Sequence, residues 1–305
     1  MRTDFFSAQD FVFPKTANYG PNGKFAFTVD VEEWFQVGAF ENCFDRSEWV
    51  DLESRVEQQT HVVIDLLAAL GIKATFFILG WVAERFPKLI STIGQAGHEI
   101  ACHGMDHRRL FEMSRSEFAS DLKKSKDVLE AAGGKSVFGY RAPSFSLTPD
   151  VWWVYEELAQ AGFRYSSSLY PVKTDHYGST EAPRRPFFPT ERQDVLEIPL
   201  TVCDMPFKRV PASGGGYFRL LPYWLSSLMI GTGRSQSDSP AIFYMHPWEM
   251  DTEQPFVAHA PLLSRFRHYT GQKTLPEKLG RLSQAFAWGP IEEVFGSVIP
   301  AGGKV

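Results

Sequence analysis

From residue 24 onward, short apolar runs of strand length alternate with segments of helical period. That order is the signature of a mostly parallel sheet or barrel, so the expected fold is α/β, a distorted (β/α) barrel with a C-terminal elaboration. Strands are expected at 24–31, 73–80, 98–103 and 136–146, at the stretch opening with Phe163, and at 195–202 and 240–250. Helices are expected at 51–71, in parts of 81–97, and at 114–134 and 148–162. The punctuation fits. Gly71 can cap the first helix, Pro87 marks a break, Ser114 and Glu117 form a capping box, and Thr148-Pro149 opens the last helix. Residues 173–194 form a long polar loop with three prolines. One helix is expected in the tail, at 277–286. The chain of 305 residues thus divides into an N-terminal extension (1–23), a barrel domain (24–250) with an insertion at 203–239, and a C-terminal extension (251–305).

Composition narrows the function classes. A net charge of −5 argues against a nucleic-acid surface, which needs a basic stripe. Aromatic residues make up 14% of the chain, which by itself favours a large aromatic core over a sugar-binding groove. Cys43, Cys102 and Cys203 are widely spaced and form no CxxC pair, so they read as reduced thiols. No segment approaches the ~18 uninterrupted apolar residues of a membrane span, and the first twenty residues lack a long apolar core. A cytoplasmic protein is expected.

The chemistry begins at "FAFTVDVEEWF", residues 25–35, where a buried-looking strand runs into three carboxylates. Side chains alternate along a strand, so Asp30 and Glu32 project to one side and Val31 and Glu33 to the other. In "HEIACHGMDH", His103 and His107 are four residues apart, a spacing that lets two imidazoles reach one metal from a helical turn or a tight loop. "YRAPSFS" places Arg141 and Pro143 at a strand-to-loop junction, where a guanidinium can orient a carboxylate. "FYMHPWE" places His246 at the end of an apolar strand. Each signal alone has an ordinary explanation: an acidic strand end, a chance spacing, a surface arginine, a packed histidine. Together, a carboxylate and two histidines make a three-ligand set with an open position, the arrangement of a catalytic metal site. His98, upstream, is expected to be structural.

The order Asp-x-Glu, HxxxH, RxP and a strand ending in His-Pro resembles the NodB-type polysaccharide deacetylases, carbohydrate esterase family four. "TFFILG", "GHEIACHG", "YRAPSFS" and "YSSSLYP" resemble that family's barrel segments. "GGGYFRLLPYW", "YMHPWEMD" and "RFRHYTG" resemble a narrower subgroup that accompanies exopolysaccharide loci in bacteria using the exosortase system. The resemblance implies Asp30 as general base, Arg141 as the residue orienting it, His246 as general acid, and His103 and His107 as ligands of a divalent metal, Zn²⁺ being expected. It implies Trp248 and Pro143 at the substrate, with core packing of Trp248 almost as favoured. One departure stands out. The family's leading motif has two adjacent aspartates, and Val31 occupies the second place. Glu32 is the natural replacement ligand and Glu33 the remaining candidate. The implied reaction is hydrolysis of N-acetyl groups on amino sugars of an exopolysaccharide or its precursor. The rivals are a hydrolase of small cyclic amides, allantoinase-like, and a non-catalytic carbohydrate-binding relative.

Overall fold

In the computed structural model, residues 5–6, 11–14, 23–173, 178 and 180–301 are described. Most of the expected N-terminal extension, and residues 174–177 and 179 of the expected polar loop, lie outside them. The core is one sheet in which every strand pairing is parallel. Its strands are β1 (Phe25–Val31), β2 (Thr75–Ile78), β3 (Glu99–Cys102), β4 (Gly139–Tyr140), β5 (Tyr165–Ser166), β6 (Leu196–Glu197), β9 (Ile242–Met245) and β10 (Trp288–Gly289). Between them come α1 (Val56–Ala69), α2 (Gly80–Arg85), α3 (Pro87–Gln95), α4 (Arg115–Gly133) and α5 (Val154–Gln160). The sheet runs from β1 through β6 in chain order, with β9 on the other side of β1. Ala26 pairs with both Ile242 and Gly289, so β10 lies on the β2 side of β1, alongside its first residues.

An antiparallel hairpin, β7 (Val202–Met205) and β8 (Lys208–Pro211), follows β6. The backbone flanking it spans the gap between β6 and β9. Ala212 N donates to Thr201 O at 3.2 Å, Tyr244 N donates to Ser213 O at 3.0 Å, and Gly214 bridges Tyr244. The single strand expected at 195–202 is therefore two short ones. Pro199 lies between them, and without an N–H it cannot continue a ladder.

Alternation along β1 sorts the chain into layers. Phe25, Phe27, Val29 and Val31 join the large core under the helices, whereas Ala26 joins a second core inside the barrel. The same split separates Phe76 and Ile78 from Phe77, Ile100 and Cys102 from Ala101, and Phe243 from Ile242. The inner core also holds Tyr165, Leu196 and Ile198. Two of its members, Ile291 and Phe295, come from α10 (Ile291–Val294) and the residue after it. The segment expected as a C-terminal extension thus returns to plug the barrel and add a strand.

Several helix boundaries differ from expectation for local reasons. α1 begins at Val56 rather than Asp51. The 148–162 helix opens as a 3-10 turn at Pro149–Val151, where Thr148 makes no side-chain cap, and α5 proper starts at Val154. Among the described residues four helices were not expected: α6 (Gly215–Leu220), α7 (Tyr223–Ser237), α8 (Leu262–Tyr269) and the short α10. In α7 and α8 the solvent face carries Trp224, Leu228, Leu262, Leu263 and Phe266, which blurs the apolar stripe that marks a helix in sequence. α9 (Leu275–Ala285) matches the one tail helix expected, and β10 is too short to show a period.

At the start of the strands Glu99 is buried, accepting from Tyr165 Oη (2.6 Å), Thr75 Oγ1 (2.5 Å) and the α10 amide of Glu292 (3.0 Å). Burial outweighs these bonds and pushes its carboxyl from 4.5 up to about 7. In the unfolded chain the group loses its proton near 4.5, whereas in the folded chain it keeps it to about 7. Its contribution is therefore complete below pH 4.5 and is lost as pH rises towards 7. Chemical denaturation across that window should show stability falling with pH, and Glu99→Gln should flatten that slope.

Candidate active site

The inward positions of the strands end in polar residues on the C-terminal side of the barrel, the face where parallel α/β barrels bind ligands. Thr28, Asp30 and Glu32 continue the inward register of Ala26, and all three are buried. His103 follows β3, Arg141 follows β4 and His246 follows β9. Asp30, Glu32, His103, His107 and His246 line one cleft of about 410 Å³, together with Ser144, Phe145, Tyr170, Tyr217, Tyr244 and Trp248.

Arg141 is fully buried and holds Asp30 from below. Its Nη1 donates to Asp30 Oδ1 at 2.6 Å and to Thr28 Oγ1 at 2.8 Å. Nε and Nη2 donate to Ser167 O (3.0 Å) and Ser167 Oγ (3.1 Å), and the guanidinium lies 4.0 Å from the centre of the Phe77 ring. A planar fork fixed at so many points cannot turn, so it sets the direction of the aspartate.

Glu32, His103 and His107 bring their donor atoms within 4.8 Å of one another. The histidines stand on an irregular loop rather than a helical turn. Gly104 (φ 79°) and His107 (φ 58°) adopt left-handed backbone that turns both rings inward. His103 Nδ1 lies 2.8 Å from Arg141 O, an atom that only accepts, so Nδ1 carries the proton. Burial holds His103 down to about 4 against the pull of Asp30 and Glu32, so the ring is neutral and Nε2 presents a lone pair to the site. Burial would raise the Glu32 carboxyl, but His107, His246 and His103 around it outweigh that and hold it at about 2. Its Oε2 lies 2.8 Å from His107 Nε2 and 3.9 Å from His103 Nε2, yet is buried without a hydrogen bond. An ionised, unsatisfied carboxylate oxygen facing two imidazoles fits a divalent cation.

On the opposite wall, His246 Nε2 lies 3.4 Å from Glu32 Oε1, and Nδ1 donates to Glu249 Oε1 at 2.8 Å. Burial opposes a charge on His246, but Glu32, Glu249 and Asp30 prevail and raise it to about 9. Glu249 in turn accepts from Arg219 Nε at 2.7 Å. Trp248 is stacked between His246 (5.0 Å) and His268 (4.3 Å), and its indole N–H donates to Glu32 Oε1 at 3.4 Å. The indole therefore walls the cleft and holds the carboxylate at once.

Two expected residues lie elsewhere. Pro143 is buried beneath the cleft against Gly104, and its neighbours Ser144 and Phe145 face the opening instead. Glu33 points away from the cleft, accepts from Ser54 Oγ and from Arg55 N (3.0 Å), and so anchors the start of α1. His98 is structural: its Nδ1 accepts from Ala74 N at 3.1 Å. Sequence reasoning missed Arg219, Glu249 and His268. The capping-box spacing of His246 and Glu249 was a visible signal for the second.

With this geometry in view, residues 42–165 match the model of the family described as polysaccharide deacetylase, and residues 167–296 match a domain of unknown function, DUF3473. The chain is 32% identical over 84 residues to a peptidoglycan-N-acetylglucosamine deacetylase of Bacillus cereus, covering 28% of this chain and 30% of that protein. It is 30% identical over 112 residues to a peptidoglycan deacetylase of Helicobacter pylori, covering 35% and 36%. These matches support the polysaccharide deacetylase family. The matches span only about a third of these relatives' own length. A solved chain assigned to the polysaccharide deacetylases of Mycobacterium smegmatis superposes with a TM-score of 0.61 at 20% identity, over 96% of this chain and 98% of that one. That likeness shows the fold, a curled, mostly parallel sheet with helices outside. Asp30 and Glu32 precede the matched polysaccharide deacetylase segment, and His246 and Glu249 lie in the second match, so the cleft draws on both halves.

The glycine run that opens α6 has a steric cause. A Cβ on Gly215 would come within 2.5 Å of both Glu249 carboxylate oxygens, and one on Gly214 within 2.5 Å of Tyr244 Oη. Glu249 has no room to move, being clamped between His246 and Arg219. Gly215→Ala is expected to displace Glu249 and cost at least tenfold in kcat. Gly216→Ala, where a Cβ meets nothing within 4 Å, should be silent in the same steady-state assay.

Proposed function

We propose that this protein is a metal-dependent hydrolase that removes N-acetyl groups from amino sugars of a polysaccharide. The observation that carries the reading is the convergence, in one cleft, of a carboxylate fixed by a buried arginine, a Glu-His-His ligand set and a carboxylate-backed histidine. Glu32, His103 and His107 would hold the cation. Zn²⁺, suited to two imidazoles and a carboxylate, would polarise the acetyl carbonyl and acidify a bound water.

The chain's own groups then divide the proton work. Asp30, with Oδ1 held by Arg141, takes a proton from the water as its oxygen adds to the acetyl carbon. His246, charged and donating through Nδ1 to Glu249, still has a proton on Nε2 facing the cleft. It gives that proton to the sugar nitrogen as the C–N bond breaks, so acetate and a free amine leave. Tyr170, Tyr217, Tyr244, Phe145 and Trp248 supply ring faces and edges for the sugar.

The finer assignment, to an exopolysaccharide or its precursor, rests on the segments "GGGYFRLLPYW" and "RFRHYTG", which resemble the subgroup at exopolysaccharide loci and which bring Tyr217 and Arg267 to the cleft lining. A small cyclic amide would leave most of a cleft of about 410 Å³ unfilled, which favours a sugar.

The test is acetate release from N-acetylglucosamine oligomers with added Zn²⁺. Asp30→Asn and His246→Ala should each lower kcat by about 10²–10⁴. Glu32→Ala should lose the metal in elemental analysis while keeping its thermal transition. Absence of acetate from every acetylated amino-sugar oligomer tried would sink the proposal. Full metal content in Glu32→Ala would remove Glu32 from the ligand set.

A further inference from the structure

α8 forms one wall of the cleft mouth, through Ser264 and Arg267, and is mounted rigidly. His268 stacks on Trp248, Tyr269 Oη donates to Pro255 O at 2.8 Å, and Arg219 donates to the carbonyls of Arg267 (3.1 Å) and His268 (3.0 Å). The opposite side of the helix carries large apolar side chains in solvent: Leu262 is 77% exposed, Leu263 57% and Phe266 57%. Phe256, 64% exposed, packs against the same helix, on Tyr269 and under the Arg265 guanidinium. Scattered exposed leucines need no explanation, but four large apolar residues together on a fixed wall do.

The stretch of chain that builds this wall is also basic. Between Glu253 and Glu277 there is no acidic residue, while Arg265, Arg267 and Lys273 fall within that stretch, in a chain whose net charge is −5. An outward apolar face edged by arginines is the pattern of a helix lying in a membrane interface. We propose that the α8 face, with Phe256, docks on an anionic lipid surface and holds the cleft mouth against it. Aliphatic leucines match acyl chains and offer no ring for a sugar. A second copy of this chain is the alternative occupant of the face, and sedimentation velocity separates the two. Among the described residues no helix is long and apolar enough to cross a membrane. Docking through α8 would let the cleft meet glycan at the bilayer surface, and it stands whether or not the deacetylase reading does.

The test is co-sedimentation of the full chain with phosphatidylcholine vesicles, with and without phosphatidylglycerol. Binding should require the anionic lipid and weaken as salt rises. The double variant Leu262→Ser/Phe266→Ser should lower partitioning roughly tenfold or more, and Arg265→Glu/Arg267→Glu should abolish the preference for anionic vesicles. Leu262, Phe266 and Arg267 are exposed and Arg265 is half-buried, and unchanged circular dichroism and thermal transitions would show that the variants fold. Failure of the wild type to bind anionic vesicles overturns the proposal, as does binding unchanged by Leu262→Ser/Phe266→Ser. A dimer in sedimentation velocity that this variant dissolves, without vesicle binding, would assign the face to a second copy instead.

Discussion

The buried contact between Arg141 and Asp30 is the constraint around which the rest is arranged. A guanidinium with no solvent exposure is tolerable only if its donors are met, and here they reach Asp30, Thr28 and two atoms of Ser167. Removing one partner of such a pair typically costs about 3–5 kcal/mol, because the other charge is left unpaired in low dielectric. That fixes the inward register of three strands at once. β1 must present Thr28 and Asp30, the end of β4 must present Arg141, and the chain after β5 must offer Ser167. The same arginine's carbonyl orients His103, so backbone and side chain of one residue serve two neighbouring groups.

A second buried arginine plays the corresponding part on the far wall. Arg219 ties Glu249, and through it His246, to the last turn of α8. The two walls are thus anchored separately, one by strands of the first half and the other by helices of the second. Glu32 is where they meet. It faces His103 and His107 on one side and receives Trp248 on the other, within 3.4 Å of His246.

Much of this was legible in the sequence, because parallel strands have a strict period. The alternation in "FAFTVDV" separates Asp30 and Glu32 from Val31 and Glu33, and the folded chain keeps that separation. Helices bounded by chemical punctuation, such as α4 between Ser114 and Gly134, were legible for the same reason. What stayed hidden depended on contacts distant in sequence. Glu33 anchors α1 only because Ser54 and Arg55 come back to it. Pro143 shapes the loop from beneath while Ser144 and Phe145, both with positive φ, turn towards the cleft. Arg219 and His268 reach the His246–Glu249 turn through a fold-back that no local pattern announces. The exposed apolar residues of α7 and α8 concealed those helices, since period analysis assumes a polar outer face.

The plug formed by Ile291 and Phe295 bears on how the chain folds. Phe25 in β1 pairs with Trp288, and the inner core around Ala26, Phe77 and Ala101 is completed by residues far along the chain from the strands they seal. Contacts of such long sequence separation form slowly, and until they do the open end of the barrel leaves apolar surface uncovered. A folding chain that has already shaped the loop carrying His103 and His107 therefore still has an unsealed barrel. Docking of the plug, rather than formation of the cleft, becomes the event that commits the molecule to its final shape.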